Sequence, residues 1–276
     1  GDDTLSGRGG VDVLNGGTGT DTADYSAAAG AVTADLAAGT TTIDGDGGND
    51  TLNSIENLTG SLASDTPSGD AASNTIDGNA GNDTLVGRGG VDTLIGGAGT
   101  DTADYSAAVN GITVDLSTGT AADDGDGASD TLTTIENVIG SVNADSITGD
   151  ANANVLTGGG GNDTLVGGCG IDTLDGGAVT DTADYSGAAA GVTASLTAGT
   201  ASDDGDGASD TLLNIENLTG SAFADSLTGD AAVNVISAGA GDDSIIGTTG
   251  SDTLTGGAGS DTVDYSAIGS AMTIDL

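Results

Sequence analysis

Nine-residue units of the form Gly-Gly-x-Gly-x-Asp-x-U-x, where U is an apolar residue, follow one another without a gap over much of this chain. The segments 78–86, 87–95 and 96–104 are three such units, and each has Asp at its sixth position. Glycine permits tight turns, and a single inward apolar side chain suits a very short strand. Tandem units of this length are typical of stacked-coil architectures. The pattern therefore predicts a parallel β-solenoid.

A period of 80 residues lies over the nine-residue one. The sequence Asp-Thr-Ala-Asp-Tyr-Ser begins at Asp21, Asp101 and Asp181, and a variant begins at Asp261. No linker or shift of composition separates the copies. We therefore expect one continuous solenoid over 1–276, with repeat boundaries near 1–24 (partial), 25–104, 105–184, 185–264 and 265–276 (partial).

Inserts of 20 residues interrupt the nine-residue register at 25–44, 105–124 and 185–204. In the second insert Ile112, Val114 and Leu116 alternate with polar residues, which predicts a half-buried strand. We expect each insert to form a wider turn of the same solenoid. Pro67 occupies a U position, and because proline lacks the strand donor, the coil around it should be locally weaker.

The chain carries 43 acidic residues against 2 basic ones, no His and a formal net charge of -41. Self-repulsion of this size opposes compaction, so bound cations are expected to be coupled to folding. All acidic residues except Glu56, Glu136 and Glu216 are Asp, which suits tight turns and short-range oxygen ligation. So much negative charge excludes nucleic acid and anionic membrane as direct partners. No apolar run is long enough to span a bilayer, so no membrane insertion is expected.

The tandem units resemble those of the repeats-in-toxin (RTX) family of secreted calcium-binding proteins, and the resemblance covers most of the chain outside the inserts. It implies an all-β fold, a right-handed parallel β-roll, in which two units make one 18-residue turn and the sixth-position Asp side chains bind several Ca²⁺ ions between stacked turns. The implied metal ligands are Asp3, Asp12, Asp21, Asp50, Asp65, Asp83, Asp92, Asp101, Asp130, Asp145, Asp163, Asp172, Asp181, Asp210, Asp225, Asp243, Asp252 and Asp261.

Asn replaces the sixth-position Asp at Asn74, Asn154 and Asn234. An amide keeps an oxygen but loses the charge, so weaker or absent calcium sites are predicted there.

A further acidic pattern, Asp-x-Asp-Gly-x-x-Asp, ends each insert. It can form an additional metal site or a simple acidic turn, and the sequence leaves both interpretations open. Its carboxylates are Asp44, Asp46 and Asp50, then Asp124, Asp126 and Asp130, then Asp204, Asp206 and Asp210.

Other recurring residues have simpler interpretations. Glu56, Glu136 and Glu216 are predicted to be solvent-facing edge residues rather than ion ligands. Cys169 has no nearby His or base and is predicted to lie at an outward turn position without a catalytic role. The recurring tyrosines are predicted to cover the core beside a small residue at U, and they are Tyr25, Tyr105, Tyr185 and Tyr265.

The sequence favours a calcium-dependent structural segment of a large secreted or cell-surface bacterial protein, such as a surface-layer, filament or adhesin component. The resemblance implies type I secretion from a Gram-negative-type cell and folding in extracellular calcium, and copies of the same chain are the expected macromolecular partners. The alternative is the calcium-binding C-terminal module of a secreted hydrolase or toxin. No catalytic set is found in the chain, so no enzyme activity is expected. Ice binding by a Thr/Asn array is disfavoured, because the outward turn positions are irregular.

Overall fold

The computed structural model describes residues 1–266 and 268, and all regular structure within them is β. This part of the chain contains no helix, and so none long and apolar enough to cross a membrane.

The strands are short, most of them three or four residues. In chain order they are β1 (Thr4–Leu5), β2 (Val13–Asn15), β3 (Thr22–Asp24), β4 (Val32–Asp35), β5 (Thr40–Asp44), β6 (Thr51–Asn53), β7 (Asn57–Thr59), β8 (Thr66–Ser68), β9 (Thr75–Asp77), β10 (Thr84–Leu85), β11 (Thr93–Ile95), β12 (Thr102–Asp104), β13 (Thr113–Asp115), β14 (Thr120–Asp123), β15 (Asp130–Thr133), β16 (Asn137–Ile139), β17 (Ser146–Thr148), β18 (Val155–Gly161), β19 (Thr164–Val166), β20 (Thr173–Val179), β21 (Thr182–Asp184), β22 (Thr193–Ser195), β23 (Thr200–Asp203), β24 (Asp210–Leu213), β25 (Asn217–Thr219), β26 (Ser226–Thr228), β27 (Val235–Ala240), β28 (Ser244–Ile246), β29 (Thr253–Ala258) and β30 (Thr262–Asp264).

Strands that are two units apart in sequence pair in parallel. Ile147 in β17 lies beside Leu165 in β19, and Leu156 in β18 lies beside Leu174 in β20. Successive strands therefore alternate between two long sheets, one of 14 strands and one of 11, with a third sheet of five strands near the N-terminus. The predicted all-β parallel roll with an 18-residue turn is confirmed.

The core is a ladder of single apolar side chains between the sheets. The U residues Ile76, Leu85, Leu94, Leu156 and Leu165 are fully buried, while their strand neighbours face outward. Burial of one such side chain is worth about 1.5–3 kcal/mol. With one large apolar residue per strand, each rung depends strongly on the rungs above and below it.

Each insert forms a β-hairpin, which is the form that the predicted wider turn takes. In the second insert β13 pairs in parallel with β17 and antiparallel with β14, and β14 pairs antiparallel with β15. Ile112, Val114 and Leu116 are buried as predicted. The hairpin β13–β14 belongs to the 14-stranded sheet and the hairpin β22–β23 to the 11-stranded one, so these two inserts lie on opposite faces.

The ladder is interrupted at Pro67. Ile147, at the same place in the next repeat, lies in a three-residue ladder between β17 and β19, whereas β8 and β10 share only an isolated bridge between Ser68 and Val86. The Val86 N–H donates to the Pro67 carbonyl oxygen at 3.2 Å, but proline has no N–H to donate. The buried core also divides near this coil into a cluster within 14–58 and another within 76–245.

Candidate metal sites

The sixth-position carboxylates form continuous stacks along the edges of the roll. The backbone N–H of Asp65 donates to Asp83 Oδ1 at 2.7 Å, and that of Asp83 donates to Asp101 Oδ1 at 2.8 Å. On the other edge the Asn74 N–H donates to Asp92 Oδ1 at 2.8 Å. Each of these carboxylates thus accepts from the residue 18 positions earlier, as expected if two units make one turn.

Glutamate continues the stack where the coil is shortened. Glu136 Oε2 accepts the Asp101 N–H at 2.8 Å, and Glu56 and Glu216 do the same for Asp21 and Asp181. The longer side chain takes the place of the next Asp. The predicted solvent-facing role of these glutamates is therefore wrong.

The second oxygen of nine of the 18 sixth-position aspartates, and of three insert aspartates, is buried and accepts no hydrogen bond from the described part of the chain. A buried, unpaired carboxylate oxygen is costly unless a cation or a donor satisfies it. In Asp83 and Asp101, for example, Oδ1 accepts a backbone N–H, whereas Oδ2 has no donor within the described residues. The unpaired atoms are Oδ2 of Asp12, Asp21, Asp44, Asp83, Asp92, Asp101, Asp124, Asp163, Asp172, Asp181, Asp204 and Asp243.

Backbone carbonyl groups approach the same places. A Cβ added to Gly78 would overlap Asp83 Oδ2 on one side and the Gly96 carbonyl oxygen of the next turn, at 2.8 Å, on another. Glycine at the first motif position therefore leaves room for a carboxylate oxygen and a carbonyl oxygen to converge. Calcium takes six to eight hard oxygen ligands of these two kinds. The residues present fit calcium.

No group of three or more His, Cys, Asp or Glu side chains within residues 1–266 and 268 is arranged to hold a metal ion. An ion at these edges must therefore be held by one or two carboxylates together with backbone carbonyl oxygens.

Burial disfavours the charged form of these carboxylates. Burial, together with the charges of neighbouring aspartates, raises the pKa of Asp83 to about 6 and the pKa values of Asp92, Asp163 and Asp172 to about 7. The stack carries a cost in free energy at neutral pH that a divalent cation would remove.

Three of the predicted ligands are satisfied by protein donors alone. Asp145 Oδ2 accepts the Ser141 N–H at 2.6 Å, and Oδ1 accepts the Ser141 hydroxyl at 2.9 Å and the Ile112 N–H at 2.8 Å. The same contacts surround Asp65 and Asp225. The serines were missed in the sequence analysis, although the pattern Gly-Ser-x-x-x-Asp, which replaces Gly-Gly-x-Gly-x-Asp, marks each one.

The asparagine turns are also satisfied by the protein. Asn154 Oδ1 accepts the Asp150 N–H at 2.8 Å, and Nδ2 donates to the Glu136 carbonyl oxygen at 2.7 Å. Asn74 and Asn234 repeat this arrangement. The amide cross-links the turns through neutral hydrogen bonds.

The hydroxyl groups of the buried tyrosines donate hydrogen bonds to the aspartates that follow the inserts. Tyr105 is buried against the core, as predicted, and its hydroxyl donates to Asp130 Oδ2 at 3.2 Å. Burial raises the pKa of Asp130 to about 6 and holds the pKa of Tyr105 well above its ordinary value. Tyr25 and Tyr185 make the same bond to Asp50 and Asp210.

The remaining predicted ligands lie near the ends of the described chain. Asp3 is exposed, and Asp252 and Asp261 are half-buried, with Oδ1 atoms that accept the N–H groups of Asn234 and Asp243. Cys169 is exposed, as predicted.

A family model described as the RTX calcium-binding nonapeptide repeat matches residues 1–23, 36–54, 68–103, 139–174, 148–183, 214–245 and 237–267, which together make up more than half of the chain. The chain belongs to this family. It is a calcium-binding structural repeat region with a parallel β-roll fold. The RTX matches omit the inserts 105–124 and 185–204. No curated protein matches the chain in sequence.

Proposed function

We propose that this RTX chain is one continuous, calcium-dependent structural β-roll from a larger secreted or cell-surface protein, of the surface-layer, filament or adhesin kind. The observation that carries the proposal is the set of 12 buried carboxylate oxygens that accept no hydrogen bond within residues 1–266 and 268. Donor-free oxygens aligned with backbone carbonyl groups suit ion binding, and the family's repeat is a structural rather than a catalytic one.

The calcium ions are assigned to the turns whose Oδ2 atoms are unpaired, such as those of Asp83, Asp101, Asp163 and Asp181. There Ca²⁺ would be held by Oδ2 and by backbone carbonyl oxygens, while Oδ1 keeps its bond to the stacked N–H. This set is narrower than the one implied by the sequence. The Ser–Asp and Asn turns are assigned as metal-free rungs, because both terminal atoms of each Asp or Asn side chain already form hydrogen bonds with protein groups.

Charge supplies the reason for folding outside the cell. Two unscreened carboxylates one strand spacing apart repel by roughly 3 kcal/mol at an effective dielectric of 20. Many such pairs, together with a net charge of -41, oppose folding where calcium is scarce. The chain would cross the envelope unfolded, by type I secretion, and fold in extracellular calcium. Copies of the same chain are its proposed partners, because linker-free repeats suit a filament or lattice.

A calcium titration of the metal-free protein, followed by far-UV circular dichroism and sedimentation velocity, tests the proposal. Cooperative gain of β-structure is expected, and growth into large particles is expected if copies assemble. A spectrum that does not respond to calcium would refute the proposal. A compact monomer at every calcium concentration would instead favour the module of a secreted hydrolase or toxin.

A paired substitution makes the test specific to the sites. Asp83→Asn with Asp163→Asn should raise the calcium concentration needed for folding, because both remove a buried, unpaired oxygen. Asp123→Asn with Asp203→Asn changes the net charge equally at exposed positions and should leave that concentration nearly unchanged. Equal shifts in the two double variants would show that only net charge matters.

A further inference from the structure

The turn at the base of each insert hairpin has an aspartate outside the nine-residue motif. Asp124 Oδ1 accepts the N–H groups of Asp126 at 2.8 Å and Ala128 at 2.9 Å, and the Asp124 N–H donates to the Ala128 carbonyl oxygen. These bonds hold the carboxylate in one orientation. Of the two carboxylate oxygens of Asp124 they involve only Oδ1, and by themselves they fit the simple acidic turn that the sequence allowed.

The other oxygen is buried and unpaired. Asp124 has an exposed fraction of 0%, and its Oδ2 accepts no hydrogen bond from the described residues. Asp44 and Asp204, at the same place in the other inserts, are each 1% exposed and also have an unpaired Oδ2. An aspartate that merely capped a surface turn would leave this oxygen in water.

A second unpaired carboxylate oxygen, Asp92 Oδ2, belongs to the next-to-last nine-residue unit before the insert. A Cβ added to Gly89, in the same unit as Asp92, would lie 3.5 Å from Asp126 Cβ, so the turn that contains Asp124 packs against the unit that contains Asp92. A Cβ added to Gly87 would lie 2.7 Å from Asp92 Oδ2 and 3.4 Å from Asp130 Oδ2, so these two oxygens face one region.

Asp130 cannot play the part that sixth-position aspartates play elsewhere. Its Oδ1 accepts the Asp92 N–H at 2.9 Å, and its Oδ2 is engaged by the Tyr105 hydroxyl. The free oxygens of this junction therefore come from Asp92 and Asp124. Three buried carboxylates with a single neutral hydroxyl between them have an excess of negative charge at neutral pH that a bound cation would balance.

In the first repeat a backbone carbonyl group lies at the same place. A Cβ added to Gly48 would overlap the Gly10 carbonyl oxygen and lie 3.0 Å from Asp44 Oδ2. Asp12 Oδ2, the counterpart of Asp92 Oδ2, is also unpaired. A carbonyl oxygen from the turn below thus lies beside the insert carboxylate.

We propose that the base of each insert hairpin holds a hard divalent cation, Ca²⁺, between an insert aspartate and the sixth-position aspartate of the next-to-last nine-residue unit before it. The three pairs are Asp44 with Asp12, Asp124 with Asp92, and Asp204 with Asp172. The ion fastens the hairpin to the rung below it, where the usual offset of 18 residues between stacked aspartates widens to 38. This site rests on the proposed calcium-dependent function and adds a ligand outside the nine-residue motif.

The test compares two triple variants of the whole chain. Asp44→Asn, Asp124→Asn and Asp204→Asn keep the Oδ1 acceptor that closes each turn but remove the second carboxylate oxygen. The control variant has Asn at Asp46, Asp126 and Asp206, which lie in the same turns, are exposed and change the net charge equally.

Calorimetric titration with calcium chloride should show that the first variant binds three fewer ions than the wild type and that the control binds the same number. Terbium supplies an independent readout. Tyr105 contacts Asp130, so a terbium ion in this site should be sensitised by tyrosine excitation. The emission should fall strongly in the first variant only.

Wild-type ion number and terbium emission in the first variant would overturn the inferred site while leaving the proposed function intact. A wild-type protein that binds no calcium would instead refute the proposed function. The single variant Asp124→Asn keeps two intact junctions, so it remains testable if the triple variant does not fold, and it should lose one ion. Loss of none would also overturn the inference.

Discussion

Replacing Asp163 by Asn should remove one calcium ion, whereas replacing Asp145 by Asn should remove none. Asp163 Oδ1 accepts the Asp145 N–H at 2.8 Å, and its Oδ2 is buried and unpaired. Asn retains an acceptor for the Asp145 N–H but has no second oxygen for an ion. Asp145 has donors at both oxygens, two of them from Ser141.

The expected magnitudes differ in their dependence on calcium. An ion at 100 times its dissociation constant stabilises the fold by about 2.7 kcal/mol, and each tenfold change in free calcium changes this by about 1.4 kcal/mol. Asp163→Asn should therefore lose about 2.7 kcal/mol at that concentration and progressively less as calcium falls. Asp145→Asn leaves the Ser141 N–H without its acceptor, which costs about 1–3 kcal/mol at every calcium concentration.

Urea unfolding at several calcium concentrations above the folding threshold measures both effects. The slope of the unfolding free energy against the logarithm of free calcium counts the ions released. Asp163→Asn should lower this slope by one ion, and Asp145→Asn should lower the free energy without changing the slope. Equal slopes in the two variants, or a lower slope in Asp145→Asn alone, would refute the assignment of ligands from unpaired oxygens.

Three further perturbations follow from the structure. Pro67→Leu should raise the melting temperature, because it restores a ladder donor worth about 1 kcal/mol and fills the core position with a larger side chain; an unchanged or lower temperature would contradict this. Gly78→Ala should weaken calcium binding, because its Cβ would overlap Asp83 Oδ2. The control Gly187→Ala, whose Cβ would meet no atom within 4 Å, should leave calcium binding unchanged. Equal calcium affinities of the two variants would contradict the prediction. Burial raises the folded-state pKa of Asp83 to about 6 and that of Asp92 to about 7, above the ordinary value of 3.8. Between the ordinary pKa and these raised values, the folded coil therefore binds more protons than the unfolded chain. Calcium-free protein should therefore gain stability as the pH falls from 7 towards 4, and circular dichroism that shows no gain of β-structure on acidification would contradict this.

Much of the site could be predicted because its geometry repeats with the motif. Asp83 and Asp101 are two units apart, so a parallel roll places them on one edge whatever the rest of the chain does. The hairpin of the insert was less accessible, because the alternation of Ile112, Val114 and Leu116 indicates a strand but not the strand with which it pairs.

The sequence by itself determined the coil: nine-residue spacing sets the turn, one apolar residue per unit sets the thin core, and the excess of aspartate requires cations. Only the tertiary structure decided which carboxylates remain free to bind them. Asp145 and Asp163 stand at the same motif position, yet Asp145 is satisfied by Ser141 and Ile112 while one oxygen of Asp163 has no donor. The physical reason is that hydrogen-bond donors reach a carboxylate through space, from residues as far as 33 or 38 positions away, and an insert changes which donors arrive.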